Sequence, residues 1–178
     1  MLDRLPVLDI EGPPLASPRD WQVQVGGLVE APARLCIGDI KAMEPAEETV
    51  PIICVEGWDM WVRWKGVRMA DIIRRCRPKP EAKYLTFYSY SEYTDSLPLE
   101  DAMDERTLLA YGLDGADLPP EHGGPVRLVV PFKLAYKSVK WVTRITFTDK
   151  EEKGYWEIRS GYPAEAGVPE EKKMQYGL

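Results

Sequence analysis

One stretch, residues 50–66 (VPIICVEGWDMWVRWKG), constrains this chain more than any other. The apolar run Val50-Pro51-Ile52-Ile53 reads as a strand that delivers Cys54 to the start of a loop. Glu56 follows two residues later, Gly57 bends the chain, and Trp58, Trp61 and Trp64 come next at intervals of three. Two readings stand side by side. A free cysteine behaves as a small apolar residue in a core, and tryptophans at this spacing pack. A strand that ends by presenting a thiol beside an acid and a wall of indoles is also how a site is built, because the setting of a thiol decides its reactivity.

The rest of the chain is heavily punctuated. Sixteen prolines and fourteen glycines in 178 residues favour a turn-rich, strand-rich domain with few long helices. Residues 1–20 are rich in proline and acid and lack periodicity, so they read as an extended arm lying on the domain. Residues 21–25 alternate apolar and polar, the period of a half-buried strand. A short helix is expected over 35–43, with Leu35, Ile40 and Met43 inward, then an acidic linker over 44–49. Residues 67–77 read as a helix with Val67, Ala70, Ile73 and Cys76 on one side, stopped by Pro78. Arg74, Arg75 and Arg77 then suit a solvated helix end.

Residues 84–90 are β-rich, and 97–103 read as a helical turn. Residues 107–111 are strand or short helix, followed by a turn over 112–115. Residues 118–125 (LPPEHGGP) are a loop, and 126–130 a short apolar strand. Over 139–147 an alternation puts Val139, Trp141, Thr143, Ile145 and Phe147 on one face. Past Asp149 the chain turns polar. The resulting division is an arm (1–20), a domain (21–162) and a tail (163–178).

Charge excludes some functions. The net charge of −6 and a pI near 5.0 argue against nucleic acid as a partner, which needs a basic footprint, and against a polybasic membrane anchor. No apolar run reaches the length of a membrane span. Three scattered cysteines and one histidine make neither a zinc site nor a disulfide framework and fit a reducing compartment. With no apolar leader and no twin arginine, a cytoplasmic location is expected. Against this acidic background Arg127, Lys133, Lys137, Lys140 and Arg144 form a basic cluster, preceded by His122-Gly123-Gly124. Glycines let a backbone approach a ligand, and Arg and Lys bind phosphate. The cluster reads either as a small-anion site or as a solvated basic face; no Walker loop and no dinucleotide fingerprint occurs.

Four segments together resemble the molybdopterin-binding oxidoreductase domain of the sulfite oxidase superfamily: Cys54-Val-Glu-Gly-Trp58; Trp64-Lys-Gly66; residues 118–131, from the LPPEHGGP loop through Val126-Arg127 to Pro131; and Lys137-Ser-Val-Lys-Trp141. The resemblance is nearest to the branch that holds the catalytic subunit of the bacterial protein-methionine-sulfoxide reductase and covers roughly residues 5–162. It implies an α+β, mostly β, sulfite oxidase-type molybdopterin-binding fold. It implies a molybdenum–molybdopterin cofactor, with Cys54 as a thiolate metal ligand and the two dithiolene sulfurs of the pterin as others, so most ligands come with the cofactor. Glu56 matches an acid close to the metal, which implies either support of the metal site from behind the ligand or a proton-handling role. Ser89, His122, Arg127, Ser138, Val139 and Lys140 bind the cofactor.

The implied reaction is two-electron oxygen-atom transfer on a small or protein-bound sulfoxide-type substrate, with electrons from a separate partner. Trp58, Trp61, Tyr88 and Tyr93 are expected pocket walls. There are departures. Residues 1–20 lack the Asn, Tyr and His that contact the pterin in the reductase branch. Cys54 is followed by Val-Glu-Gly-Trp, not by the arginine-bearing run that binds sulfite, which argues against sulfite oxidation. Two other readings exist: a non-catalytic binding module that keeps the fold, and a cysteine hydrolase pairing Cys54 with His122.

Overall fold

The computed structural model describes residues 5–10 and 12–178. Strand signals in the sequence become two five-stranded sheets. The first runs β2-β1-β10-β5-β6, made of β1 (Gln22–Gly27), β2 (Ala33–Cys36), β5 (Tyr84–Ser89), β6 (Thr94–Pro98) and β10 (Val142–Thr148). β1 and β10 are parallel; the other neighbours are antiparallel. The second sheet runs β3-β4-β7-β8, from β3 (Ala46–Ile53), β4 (Asp59–Arg68), β7 (Leu108–Leu113) and β8 (Ala116–Asp117), with β9 (Arg127–Val129) pairing to β7. The mixed, mostly β architecture agrees with the expected fold class.

Alternation does its expected work in β1, where Val23 and Val25 are buried between exposed glutamines. Helices α1 (Ile37–Lys41), α2 (Met69–Cys76) and α3 (Leu99–Met103) pack on the larger core, with Ile40, Ile72, Ile73 and Ala102 buried. The arginines at the end of α2 are solvated: Arg74 pairs with Asp71 at 2.9 Å and Arg77 takes a left-handed cap. A second apolar cluster, around Val50, Val62, Trp64 and Leu108, fills the inner face of the second sheet.

Several elements differ from expectation. Residues 46–49 are not a linker but the start of β3; Glu47 and Glu48 sit on an edge strand and pair across it with Lys65 at 3.1 Å and Arg68 at 3.0 Å. Leu35 belongs to β2 and Val67 to β4, so both helices begin later. The stretch expected as strand or short helix over 107–111 is strand, β7 starting at Leu108 and running to Leu113, and the turn narrows to Asp114-Gly115, both at positive φ. The alternation expected over 139–147 breaks at a bulge between Val142 and Arg144. Val142 takes a core position, and Val139 and Trp141 precede the strand.

The polar C-terminal stretch holds two short helices, α4 (Tyr155–Ser160) and α5 (Glu170–Tyr176). Residues 163–178 therefore do not trail free: Ala166 and Val168 are buried, and α5 docks on β4. Of the arm, residues 5–10 and 12–20 are described, and Leu5 is buried in the second cluster. No helix among the described residues is long and apolar enough to cross a membrane.

Candidate active site

β3 runs into a tight loop over 54–58. Cys54 C=O accepts from Gly57 N–H at 3.0 Å, and Cys54 N–H donates to Trp58 C=O at 2.9 Å. Gly57 closes the turn at φ +95°, a conformation that a side chain rarely allows. The loop aims Cys54 into a cavity of about 370 Å³ between the two sheets. Burial pushes the Cys54 thiol pKa up, as does the Glu56 charge; the backbone N–H groups of Glu56 and Val55 act against it by favouring the thiolate.

The opposite wall is cationic. Arg127, on β9, is 4% exposed, and its Nη1 and Nη2 donate to the carbonyls of His122 at 2.9 Å and Ser138 at 3.0 Å. Its guanidinium lies 5.0 Å from the Trp64 ring centre. No carboxylate pairs with it among the described residues, and burial lowers its pKa to about 10. Lys140 donates to Glu121 C=O at 2.8 Å; burial and the Arg127 charge lower its pKa to about 8, with Asp9 and Glu121 opposing. Burial, then Lys140, also lowers His122. Gly123, at φ +104°, lets these cations converge: a Cβ there would sit 3.0 Å from Arg127 Cβ and 3.0 Å from Lys140 Cγ.

Cys54, Glu56, Ser89, His122, Arg127, Ser138 and Lys140 all line this cavity. Val139 does not: its side chain is in the core, its N–H donates to Lys137 C=O, and its C=O accepts from Leu128 N–H. Trp58 and Tyr93 line the cavity, but Trp61 and Tyr88 do not. A spacing of three on a strand alternates faces, so Trp64 is buried while Trp61 is 47% exposed. Tyr88 turns outward to Glu152 at 2.6 Å, under Arg144. The basic cluster also divides. Lys133 pairs with Asp101 at 2.8 Å, and Lys137 is buried between Asp95 at 2.6 Å and Glu157 at 2.8 Å, leaving Arg127 and Lys140 for the cavity. Burial outweighs the Lys137 charge at Asp95 and pushes its pKa up to about 6. No hydrogen bond joins Cys54 to His122 among the described residues, which removes the contact that a cysteine hydrolase needs.

Other lining residues escaped sequence reasoning. Arm residues Leu5, Pro6, Leu8, Asp9 and Ile10 cover one side. Tyr136, Trp156 and Tyr162 form an aromatic rim; Tyr136 and Tyr162 ring centres lie 5.2 Å apart, and Trp156 and Tyr162 stack at 5.9 Å. Their one signal was the density of aromatics over 155–162 in an otherwise polar stretch.

These residues fit an anionic cofactor that has its own metal. The Ser89 hydroxyl is buried in the cavity wall with no hydrogen-bond partner among the described residues, so it is free to bond a ligand there. Arg127 is buried and Lys140 half-buried, neither forms an ion pair with a carboxylate among the described residues, and one thiol shares the cavity with them. Among the described residues no group of three His, Cys, Asp or Glu gathers, so the chain offers Cys54 as a single sulfur donor.

The comparisons agree. Residues 10–156 match the model of the oxidoreductase molybdopterin-binding domain. The chain is 38% identical over 157 residues to the protein-methionine-sulfoxide reductase catalytic subunit MsrP of Ralstonia nicotianae, covering 79% of this chain and 47% of that one. It is 42% identical over 143 residues to the oxidoreductase YuiH of Bacillus subtilis, covering 80% and 72%. It thus spans about half the length of the reductase subunits it matches. The crystal structure of the sulfane dehydrogenase SoxCD from Paracoccus pantotrophus superposes with a TM-score of 0.74 at 28% identity, covering 79% of this chain and 41% of that one. With the thiol, the two cations and the unpartnered hydroxyl in one cavity, these matches make the chain a member of the molybdopterin-binding oxidoreductase domain family, within the sulfite oxidase superfamily.

Proposed function

We propose that this chain is a molybdopterin oxidoreductase that removes an oxygen atom from a sulfoxide-type substrate, small or protein-bound, with two electrons from a separate partner and two protons, the oxygen leaving as water. The carrying observation is the cavity itself, where a thiol, the buried Arg127, the half-buried Lys140 and a hydroxyl without a hydrogen-bond partner among the described residues meet, neither cation being ion-paired among those residues. When bound, the cofactor supplies the two-electron redox centre. The chain supplies binding and orientation. Cys54 serves as the metal ligand, with the Val55 and Glu56 N–H groups favouring its thiolate. Arg127 and Lys140 hold the cofactor's anionic groups, and Ser89 Oγ hydrogen-bonds its polar edge. Ser138 helps shape the wall: its hydroxyl accepts from Val130 N–H at 3.0 Å and its carbonyl holds Arg127. His122, whose pKa is lowered by burial and then by the Lys140 charge, offers the cofactor one ring N–H. Glu56, on the same loop, moves protons. Trp58, Trp156, Tyr162 and Leu8 give the substrate an apolar, water-excluding approach.

The reductase name of the relatives supports the substrate class. Three unpaired cysteines favour a reducing compartment, and we propose a cytoplasmic location on that ground. The test is elemental analysis of protein from a host that makes the cofactor. Near-stoichiometric molybdenum in the wild type is expected, lost or changed in environment in Cys54→Ser, with sulfoxide reduction by an artificial donor following the metal. Protein that takes up no metal and yields no fluorescent pterin on oxidation would sink the proposal.

A further inference from the structure

The strand pair that carries Cys54 is gripped from outside. Ile53 and Asp59 form the last cross-strand pair of β3 and β4 before the 54–58 loop. The Asp59 carboxylate accepts from Lys172 Nζ and from the Tyr176 hydroxyl, both on α5. The Tyr176 ring meets Trp61 edge-on, with centroids 5.1 Å apart. Hydrogen bonds from Lys172 and Tyr176 hold the Asp59 pKa below the usual carboxylate range.

The segment leading to α5 is fixed at the other side of the cavity. Tyr136 OH donates to Pro163 C=O at 2.6 Å, and Leu134 N–H donates to Ala166 C=O at 2.9 Å. Lys133 and Gly167 form an antiparallel bridge. Tyr136 lines the cavity, and Ser138, two residues on, holds Arg127. Residues 163–178 therefore run from the cationic wall to the base of the thiol loop. They lie outside the region matched by the family model, which ends at residue 156.

β3 pairs with β4 over its whole length, so the hairpin does not need this grip to form. What the grip adds is a fixed departure point for the loop, referenced to the opposite wall. We propose that Asp59 is a positioning residue for the Cys54 thiol, with α5 as the clamp that holds the thiol loop in register with the cationic wall. The inference rests on the reading of Cys54 as metal ligand, but its test does not need the metal.

The test uses the full chain from a host unable to make the cofactor. Iodoacetamide labelling is followed separately at Cys36, Cys54 and Cys76 by mass spectrometry, together with amide exchange over 54–58. In the Lys172→Met, Tyr176→Phe double variant and in Asp59→Ala, Cys54 should be labelled about tenfold faster and the loop should exchange faster, with Cys36 and Cys76 unchanged. Lys172→Arg, which keeps a cationic donor, should restore the wild-type rate. A Cys54 rate within about twofold of wild type in both variants overturns the proposal. So does equal acceleration at all three thiols, which makes α5 a general stabiliser. Failure of wild-type protein to load molybdenum would defeat the proposed function and leave the labelling result standing, so the two failures are separable.

Discussion

Arg127 is a costly side chain to bury and the half-buried Lys140 shares part of that cost, since a cation taken from water needs an opposite charge or a full set of acceptors. Here carbonyl oxygens hold both. Lys140 carries a testable signature. Its pKa is lowered from 10.5 to about 8, so between those values the unfolded chain binds the proton that the folded chain has released. Stability must then rise with pH across that window. Thermal unfolding of cofactor-free protein against Lys140→Met should show the wild-type deficit shrinking from pH 7.5 to 10. Anion affinity should move the other way: pyrophosphate binding, measured by calorimetry, should hold steady below about pH 7 and weaken about tenfold per unit well above 8 as the cation is lost. Lysines at 133, 137 and 140 look alike in the sequence. What separates them is their partners, Asp101, Asp95 and the Glu121 carbonyl, which tertiary structure alone brings near. The Cys54 loop was legible because its determinants are local: an apolar run, a cysteine and a glycine that must turn.

Helices α4 and α5 were not legible, for a physical reason. Neither buries a full residue, so neither has an apolar stripe. They are held by aromatic stacking and ion pairs with distant residues, such as Tyr155 on Tyr93 at 5.4 Å. β3 was half hidden for a related reason, because an edge strand carries charges that read as linker. The bulge in β10 moves Val142 inward, which no count of alternating residues foresees. The buried triad shows how α4 depends on the rest. Lys137 binds Asp95 on β6 and Glu157 on α4, and its side chain is 1% exposed. Lys137→Met would leave two buried carboxylates without a cation, Asp95 keeping only the Ser96 N–H. Urea denaturation should register a loss of about 3–5 kcal/mol. Adding Asp95→Asn and Glu157→Gln should recover much of it, and with it the aromatic rim that α4 supplies through Trp156.

Across the whole molecule, the cavity is a joint property of the two sheets. Cys54 and Arg127 come from the second, while Ser89 stands on the first and Lys140 leads into it. The resemblance carried by four separated segments was therefore informative about the fold, since those segments meet only when both sheets form. The arm and the C-terminal residues complete the walls, and short motifs say nothing of them. Loading should tie the sheets together: a ligand that binds only the folded chain at a thousand times its dissociation constant adds about 4 kcal/mol. Scanning calorimetry of loaded against cofactor-free protein should show the gain as a higher Tm, smaller in Arg127→Met. The unpartnered Ser89 hydroxyl gives this a cellular meaning. A chain whose last hydrogen bond is supplied from outside opens more often before that supply arrives than after it. A protease that samples open chains should therefore clear the unfinished copies faster than the finished ones, which limited proteolysis of cofactor-free against loaded protein would register.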